Sequence, residues 1–291
     1  MCASAPKFRP NRGYYAMALG AFTVVALSDG EFELPAEKLL IERQPGDVND
    51  LLTHAGLPGV VCSDVNAYLL DTGDACVLVD AGAGSLQGPG LGRLVSHMHA
   101  AGYAPEHVDL VLLTHLHPDH VGGIASEGLA TFPKAIVCVD ERELAFWCNR
   151  ANATLVDESV RASFDGAAAS LQPYRKAGRL IAFQSGDQLV PGIVAIELDG
   201  HTVGHTGFRV ESEGQRLLLC GDVLHVAAVQ LADPDIAIRY DSNPKRASET
   251  RMRMLAETAA QNCWLAAAHA PFPGIGKIRR ADEGYEWEPA V

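Results

Sequence analysis

Three short apolar runs in this chain each end in a side chain of the kind that binds metal ions, and this regularity constrains the fold more than any other feature. VDLVLLT runs into His115, RLLLCG into Asp222, and CWLAAA into His269. Runs of this length and composition read as strands buried on both faces. Strand ends lie side by side in a sheet, so residues distant in sequence meet at one rim, where α/β sheets usually hold their chemistry. The rest of the chain alternates in the same manner. LGAFTVVALSDG reads as a strand ending in a turn, and NAYLLDTGDACVLVDAG as two strands about Thr72-Gly73-Asp74. LGRLVSHMHAAG has helical spacing and stops at Gly102. Further helices are expected in ERELAFWCNR, in DESVRASFDGAAASLQPYRKAG with a cap at Asp157 or Ser159, and over 244–262 with Pro244 in the first turn. RLIAFQ, GIVAIELDG and GFRVESEGQRLLLCG read as strands, the last a hairpin through Glu213-Gly214. No repeat or low-complexity linker interrupts the pattern. The expectation is one α/β domain over 1–291 with an extended N-terminal arm spanning about 1–20.

Composition narrows the partners. The 36 acidic and 23 basic residues give a formal net charge of −13, which argues against a nucleic-acid partner. No apolar run reaches the roughly 20 residues of a membrane span, and the N-terminus lacks a charged start followed by an apolar block. The chain as given is therefore expected in the cytoplasm, with the periplasm open if a signal peptide was removed. Cys2, Cys62, Cys76, Cys138, Cys148, Cys220 and Cys263 form an odd set without a CxxC pair, which reads as buried free thiols in a reducing compartment.

THLHPDH places His115, His117, Asp119 and His120 within six residues. In an extended segment His115 and His117 point to the same side, while Asp119 and His120, past Pro118, face a second point. Three more candidates lie downstream: His205 in TVGHTGF, Asp222 in CGDVLH and His269 in AAHAPFPG. One catalytic cation needs only about three protein ligands plus water, so this set suits two ions. Asp222 is the candidate bridge, because its two oxygens can bind one cation each. His54, His97, His99 and His107 read as ordinary polar residues. His201 competes with His205, but Gly204 and Thr206 suit a tight loop that presents His205, leaving His201 beside the ligands or at the surface. Cys220, inside a strand, reads as core. Zinc is the default for the two divalent ions, with cobalt, manganese and iron open.

THLHPDHVGG, then GHTG, then GD and a late His resemble the metallo-β-lactamase superfamily, with the signature spread over most of the chain. The resemblance implies a four-layer αβ/βα sandwich, two mixed sheets face to face with helices outside. It also implies that His115, His117 and His205 bind one metal, that Asp119, His120 and His269 bind the other, and that Asp222 bridges them. The stretches GYYAMALGAFTVVALSDG, GAGSLQGPGLGRL, ELAFWCNRAN, LVPGI, VAAVQLADP and FPGIGKIRRADEGY are similar to the methyl parathion hydrolase branch and its lactonase relatives. Trp147 and Phe164 match that branch's aromatic pocket. Gln87 stands where the organophosphate enzymes have an aromatic residue, and His225 where they have an apolar one. Acyl-homoserine lactonases place a tyrosine at the position of His225.

Water held by two dications is deprotonated near neutral pH, because the metal charge lowers its pKa from about 15.7 to roughly 7. The expected reaction is the opening of a lactone, of the dihydrocoumarin or acyl-homoserine type, by a metal-bridging hydroxide. Phosphotriester hydrolysis is the alternative, and a di-iron redox protein a more remote one. The candidate catalytic side chains are Asp119, Asp222 and His225. His225 either donates to the leaving oxygen or the oxyanion, or fixes a ligand. Trp147, Phe164, Phe272 and Gln87 are the candidate substrate-binding residues. β-Lactamases generally carry Cys or Ser at the Asp222 position, glyoxalase II a cationic C-terminal extension, and nuclease members extra nucleic-acid-binding segments; none is seen here. A small molecule is the expected partner, with Tyr14, Tyr15, Met17 and Phe22 of the arm open to packing across a homodimer partner as well as on the chain's own core.

Overall fold

The computed structural model describes residues 13–156 and 158–291, the side chain of Ser159 excepted. The expected Asp157 or Ser159 cap, Cys2 and the first twelve residues of the arm lie outside the described residues. Strands β1 (Tyr14–Leu19), β2 (Phe22–Leu34), β3 (Val61–Asp71), β4 (Cys76–Val79) and β5 (Leu110–Leu112) open the first sheet. After a separate hairpin of β6 (Ala125–Ser126) and β7 (Leu129–Ala130), β8 (Ile136–Asp140) and β9 (Leu180–Phe183) complete it in the order β1-β2-β3-β4-β5-β8-β9. The second sheet runs in chain order through β10 (Gln188–Val190), β11 (Ile193–Glu197), β12 (Thr206–Ser212), β13 (Gln215–Leu219), β14 (Trp264–Ala266), β15 (Ile275–Arg280) and β16 (Tyr285–Pro289). Both are mixed: β4, β5, β8 and β9 pair in parallel, as do β13 and β14, while the remaining pairs are antiparallel.

Helices α1 (Ala36–Leu39), α2 (Asp47–His54), α3 (Leu94–Ala100), α4 (Pro118–Val121), α5 (Glu141–Trp147), α6 (Ser163–Lys176), α7 (Ala227–Ala232) and α8 (Pro244–Gln261) cover the sheets. Period-two alternation sets the layers. Along β2, Val25 and Leu27 join Met98 of α3, Trp147 of α5 and Leu171 of α6, whereas Val24 and Ala26 join Phe208 and Leu217 of the second sheet. The outer face of that sheet packs Leu265 and Ile278 against Met254 and Leu255 of α8. Helices, sheet, sheet, helices is the four-layer αβ/βα sandwich that the family resemblance implies. No helix among the described residues is long and apolar enough to cross a membrane.

One local reading changes. LGAFTVVALSDG does not end in a turn: β2 continues to Leu34 through a register shift between Ser28 and Gly30. The polar residue there, Asp29, is buried and accepts the backbone N–H groups of Ala83, Gly92 and Leu94 at 2.9, 2.9 and 3.0 Å. It anchors a loop of the site's side of the sheet instead of marking a surface turn. In the described part of the arm, β1 pairs with β2, Tyr14 packs on the helix-side core and Tyr15, Met17 and Phe22 pack on the core between the sheets.

Candidate metal centre

The three strand ends deliver their residues to one rim as the sequence pattern requires. Past β5, the Thr114 N–H and hydroxyl both donate to Asp80, at 2.9 and 2.8 Å, and Asp80 Oδ2 also lies 2.8 Å from His120 Nδ1. One carboxylate from the end of β4 thereby fixes the backbone before His115 and the ring of His120. The single turn of α4 begins at Pro118, with His117 in extended conformation just before it, so the chain bends between the first two histidines and Asp119–His120. At the end of β13, Gly221 has φ +51°, and a Cβ there would lie 2.6 Å from His205 Nε2. Only glycine permits that bend, which carries Asp222 into the centre.

Asp222 is the hub. Its Oδ1 lies 3.0 Å from His120 Nε2, and its Oδ2 lies 3.2 Å from His269 Nε2, 3.4 Å from His201 Nε2 and 3.8 Å from His115 Nε2. His117 Nδ1 and His201 Nε2 are 3.0 Å apart, and Asp119 Oδ2 is 3.6 Å from His269 Nε2. Three groups of donor atoms lie within 4.8 Å of one another, His115–His117–His201–Asp222, Asp119–His120–His269 and Asp222–His225–His269, and the first two, which share no residue, are the two donor sets. Among the buried atoms without a hydrogen-bond partner are His115 Nε2, His120 Nε2 and Asp222 Oδ1. Leaving such groups uncompensated in the interior is costly, and nitrogen and carboxylate donors suit zinc-like cations, so the residues present fit two divalent ions.

Electrostatics divide the two sets. Burial, with neighbouring imidazoles, holds His115 and His117 well below the usual histidine range. Burial also opposes charge on His120 and His269, but there the carboxylates prevail: Asp222, Asp80 and Asp119 raise His120 well above its usual range, and Asp222 leads in raising His269 to about 9. Burial disfavours ionised Asp222, yet His120, His269 and His115 hold its carboxyl well below the ordinary value.

The expected ligand His205 is corrected. Its Nδ1–H donates to Leu198 O at 2.9 Å and its Nε2 accepts the Asp222 N–H at 3.0 Å, so neither ring nitrogen is left for a cation. Burial lowers its pKa to about 3, which keeps it the neutral acceptor this pairing needs. His201 takes the vacant place. Its Nδ1 is held 2.9 Å from Asp241 Oδ1, and Asp241 Oδ2 accepts the Ile238 N–H at 3.0 Å. The other rings are anchored likewise, His115 Nδ1 lying 3.0 Å from the Thr114 hydroxyl and His269 Nδ1–H donating to Asp64 O at 2.9 Å. Sequence reasoning passed over Asp80 and Asp241. Asp80 had a signal, since it ends the strand-like run VLVD; Asp241 in the loop RYDSN had none.

A cavity of about 410 Å³ opens over the centre. Gln87 lines it, as expected. Trp147 and Phe164 do not: each is only 1% exposed, and they pack 4.6 Å apart in the helix-side core, with Trp147 5.1 Å from His117. Phe272 packs on the core between the sheets. The apolar walls are instead Phe32, Leu34, Leu86 and Val160, with Tyr240 beside them. His225 does reach the cavity, with Nε2 3.2 Å from Asp222 Oδ2, its ring stacked on His269 and its backbone N–H donated to Gln230 Oε1 at 2.8 Å. Cys220 is core, as expected.

Known proteins share this fold. The model of the metallo-beta-lactamase superfamily matches residues 60–260. The crystal structure of the hydrolase AbOPH of the beta lactamase superfamily is similar at a TM-score of 0.91 and 35% identity, covering 97% of this chain and 99% of that one. AidC, a dizinc quorum-quenching lactonase, has the same fold at a TM-score of 0.87 and 22% identity, covering 96% and 98%. Among curated relatives, the lactamase-like protein vrtG of Penicillium aethiopicum is 38% identical over 102 residues, 34% of this chain and 30% of that protein. This chain therefore spans less than a third of vrtG. With its family model matched from β3 into α8 and its fold shared end to end with a hydrolase, the chain belongs to the metallo-beta-lactamase superfamily and is a metallo-hydrolase of that fold.

Proposed function

We propose that this hydrolase opens lactones of the dihydrocoumarin or acyl-homoserine type. The observation that carries the reading is Asp222, a single carboxylate standing between two donor sets on the floor of a cavity whose described lining contains no Lys or Arg. His115, His117, His201 and Asp222 would hold one cation, and Asp119, His120, His269 and Asp222 the other, with zinc the default. Such a pair, when bound, supplies water deprotonated near neutral pH and a Lewis acid for the oxygen under attack.

The chain's own residues decide what enters and how the ring leaves. Phe32, Leu34, Leu86 and Val160 offer apolar walls to an acyl chain or an aryl ring, and the cavity volume suits a small ligand. A substrate carboxylate would find no Lys or Arg in the described lining, which disfavours β-lactams and glutathione thioesters relative to uncharged esters. Burial lowers the pKa of His225, so its ring is neutral at neutral pH and carries one N–H. Nδ1 has no hydrogen-bond partner, Nε2 stands 3.2 Å from Asp222 Oδ2, and the ring borders the cavity, which supports His225 as the donor to the departing ring oxygen. The fold shared with AidC, a dizinc lactonase in complex with a product, N-hexanoyl-homoserine, supports the same substrate class.

The test is kcat/KM of metal-loaded protein on dihydrocoumarin, N-acyl-homoserine lactones, aryl esters and an aryl phosphotriester. Lactones are expected to lead by about tenfold or more, and His225→Leu to lower lactone turnover about a hundredfold. A phosphotriester preference, or stoichiometric iron with a charge-transfer band and no hydrolysis, would contradict the reading.

A further inference from the structure

A buried carboxylate outside both donor sets touches the loops that carry the first one. Glu143, in the first turn of α5, is 0% exposed. Its Oε2 accepts the Leu116 N–H at 3.2 Å and its Oε1 the Gly204 N–H at 2.8 Å. Leu116 stands between His115 and His117, and Gly204 belongs to the loop that carries His201. One side chain thus grips both loops by their backbones. Its own base is firm, because Asp140 at the end of β8 caps α5, accepting the Arg142 N–H at 2.8 Å. The grip is also close: a Cβ on Gly204 would lie 2.6 Å from Asp140 Oδ1 and 2.9 Å from the Glu143 nitrogen.

We infer that Glu143 is a positioning residue for the first cation, setting the separation of the His115–His117 loop from the His201 loop. The dependence is direct, since His117 Nδ1 and His201 Nε2 approach to 3.0 Å from different loops. The second donor set has no such link to Glu143; Asp80 orients its His120 instead. A carboxylate offers two acceptor oxygens to the two amides, whereas a glutamine amide must turn its NH₂ toward one of them, losing a hydrogen bond and opposing two donors. The assignment rests on the two-cation reading of the site.

The experiment is a titration of metal-free protein with cobalt. Affinity is followed step by step, and each site is identified by the imidazole proton NMR signals that the paramagnetic ion shifts. Glu143→Gln is expected to weaken the cation at His115, His117 and His201 about 10- to 100-fold, as loss of an outer partner of metal ligands does, and to move those signals, while the cation at His120 and His269 stays within about twofold. Glu143→Asp keeps the charge but is too short to reach both amides, so it is expected to show the same selective loss and serves where the glutamine variant does not fold. Circular dichroism confirms folding of each. Wild-type affinity at both sites in a folded variant, equal weakening at both, or full rescue by aspartate would overturn the positioning role. Wild-type protein that takes up fewer than two ions would instead break the two-cation reading itself.

Discussion

His117 and His269 are both buried imidazoles on one carboxylate-centred site, yet they are driven in opposite directions. Burial and neighbouring rings hold His117 well below the usual histidine range, while Asp222 outweighs burial at His269 and lifts it to about 9. His115 follows His117, and His120 follows His269. The difference teaches that burial alone does not set the charge of an interior histidine; the carboxylates in contact decide it. His115 and His117 are ready as neutral ligands, whereas His120 and His269 must release protons before their nitrogens can bind a cation.

The largest effect is expected where the two sets join. Asp222→Ala removes the oxygens facing both, so metal content is expected to fall below two ions per chain and kcat/KM by about three orders of magnitude or more. Elemental analysis and kinetics check this. Retention of two ions would mean that the sets are independent. The next pair separates them: Asp241→Ala frees His201 and is expected to weaken the first cation about 10- to 100-fold, whereas Asp80→Ala frees His120 and also loosens the backbone before His115, so it is expected to weaken the second cation about 10- to 100-fold and the first by less. Equal losses at both sites in either variant would erase the distinction.

The smallest effects are in pH. With His269 protonated at neutrality, cation uptake is expected to release protons, and the affinity of the second site to rise up to about pH 9. Calorimetry in two buffers of different ionisation heat measures the release, and its absence would contradict the charge difference between the sets. The stability of metal-free protein carries the same signature with opposite signs. His269, raised above its unfolded value of about 6.5, stabilises fully below that pH, a contribution lost as pH rises through about 9. His205, lowered to about 3, stabilises above about 6.5, a contribution lost as pH falls from there toward 3.

Local patterns in the sequence carried the α/β alternation and the location of the centre, while the four-layer sandwich was implied by the family resemblance. Apolar runs ending in His115, Asp222 and His269 encode strands with their chemistry at one rim, and THLHPDH encodes two facing points across a bend. What it did not carry depends on contacts between distant segments. Choosing His201 over His205 requires knowing that His205 is occupied by Leu198 O and the Asp222 N–H, the latter 17 residues away. Asp29 reads as a turn residue until the amides of Ala83, Gly92 and Leu94, 54 to 65 residues on, are seen to converge on it. Trp147 and Phe164 are aromatic enough for a pocket, but the packing of α5 on α6 turns them into the core.

The decisive measurement is anomalous diffraction from crystals of the metal-loaded protein. Two peaks are expected, one on each side of Asp222, the first contacted by His201 and the second by His269, with His205 still bonded to the Asp222 amide. A lone peak, or a cation coordinated by His205 in place of His201, would contradict the arrangement from which everything else follows.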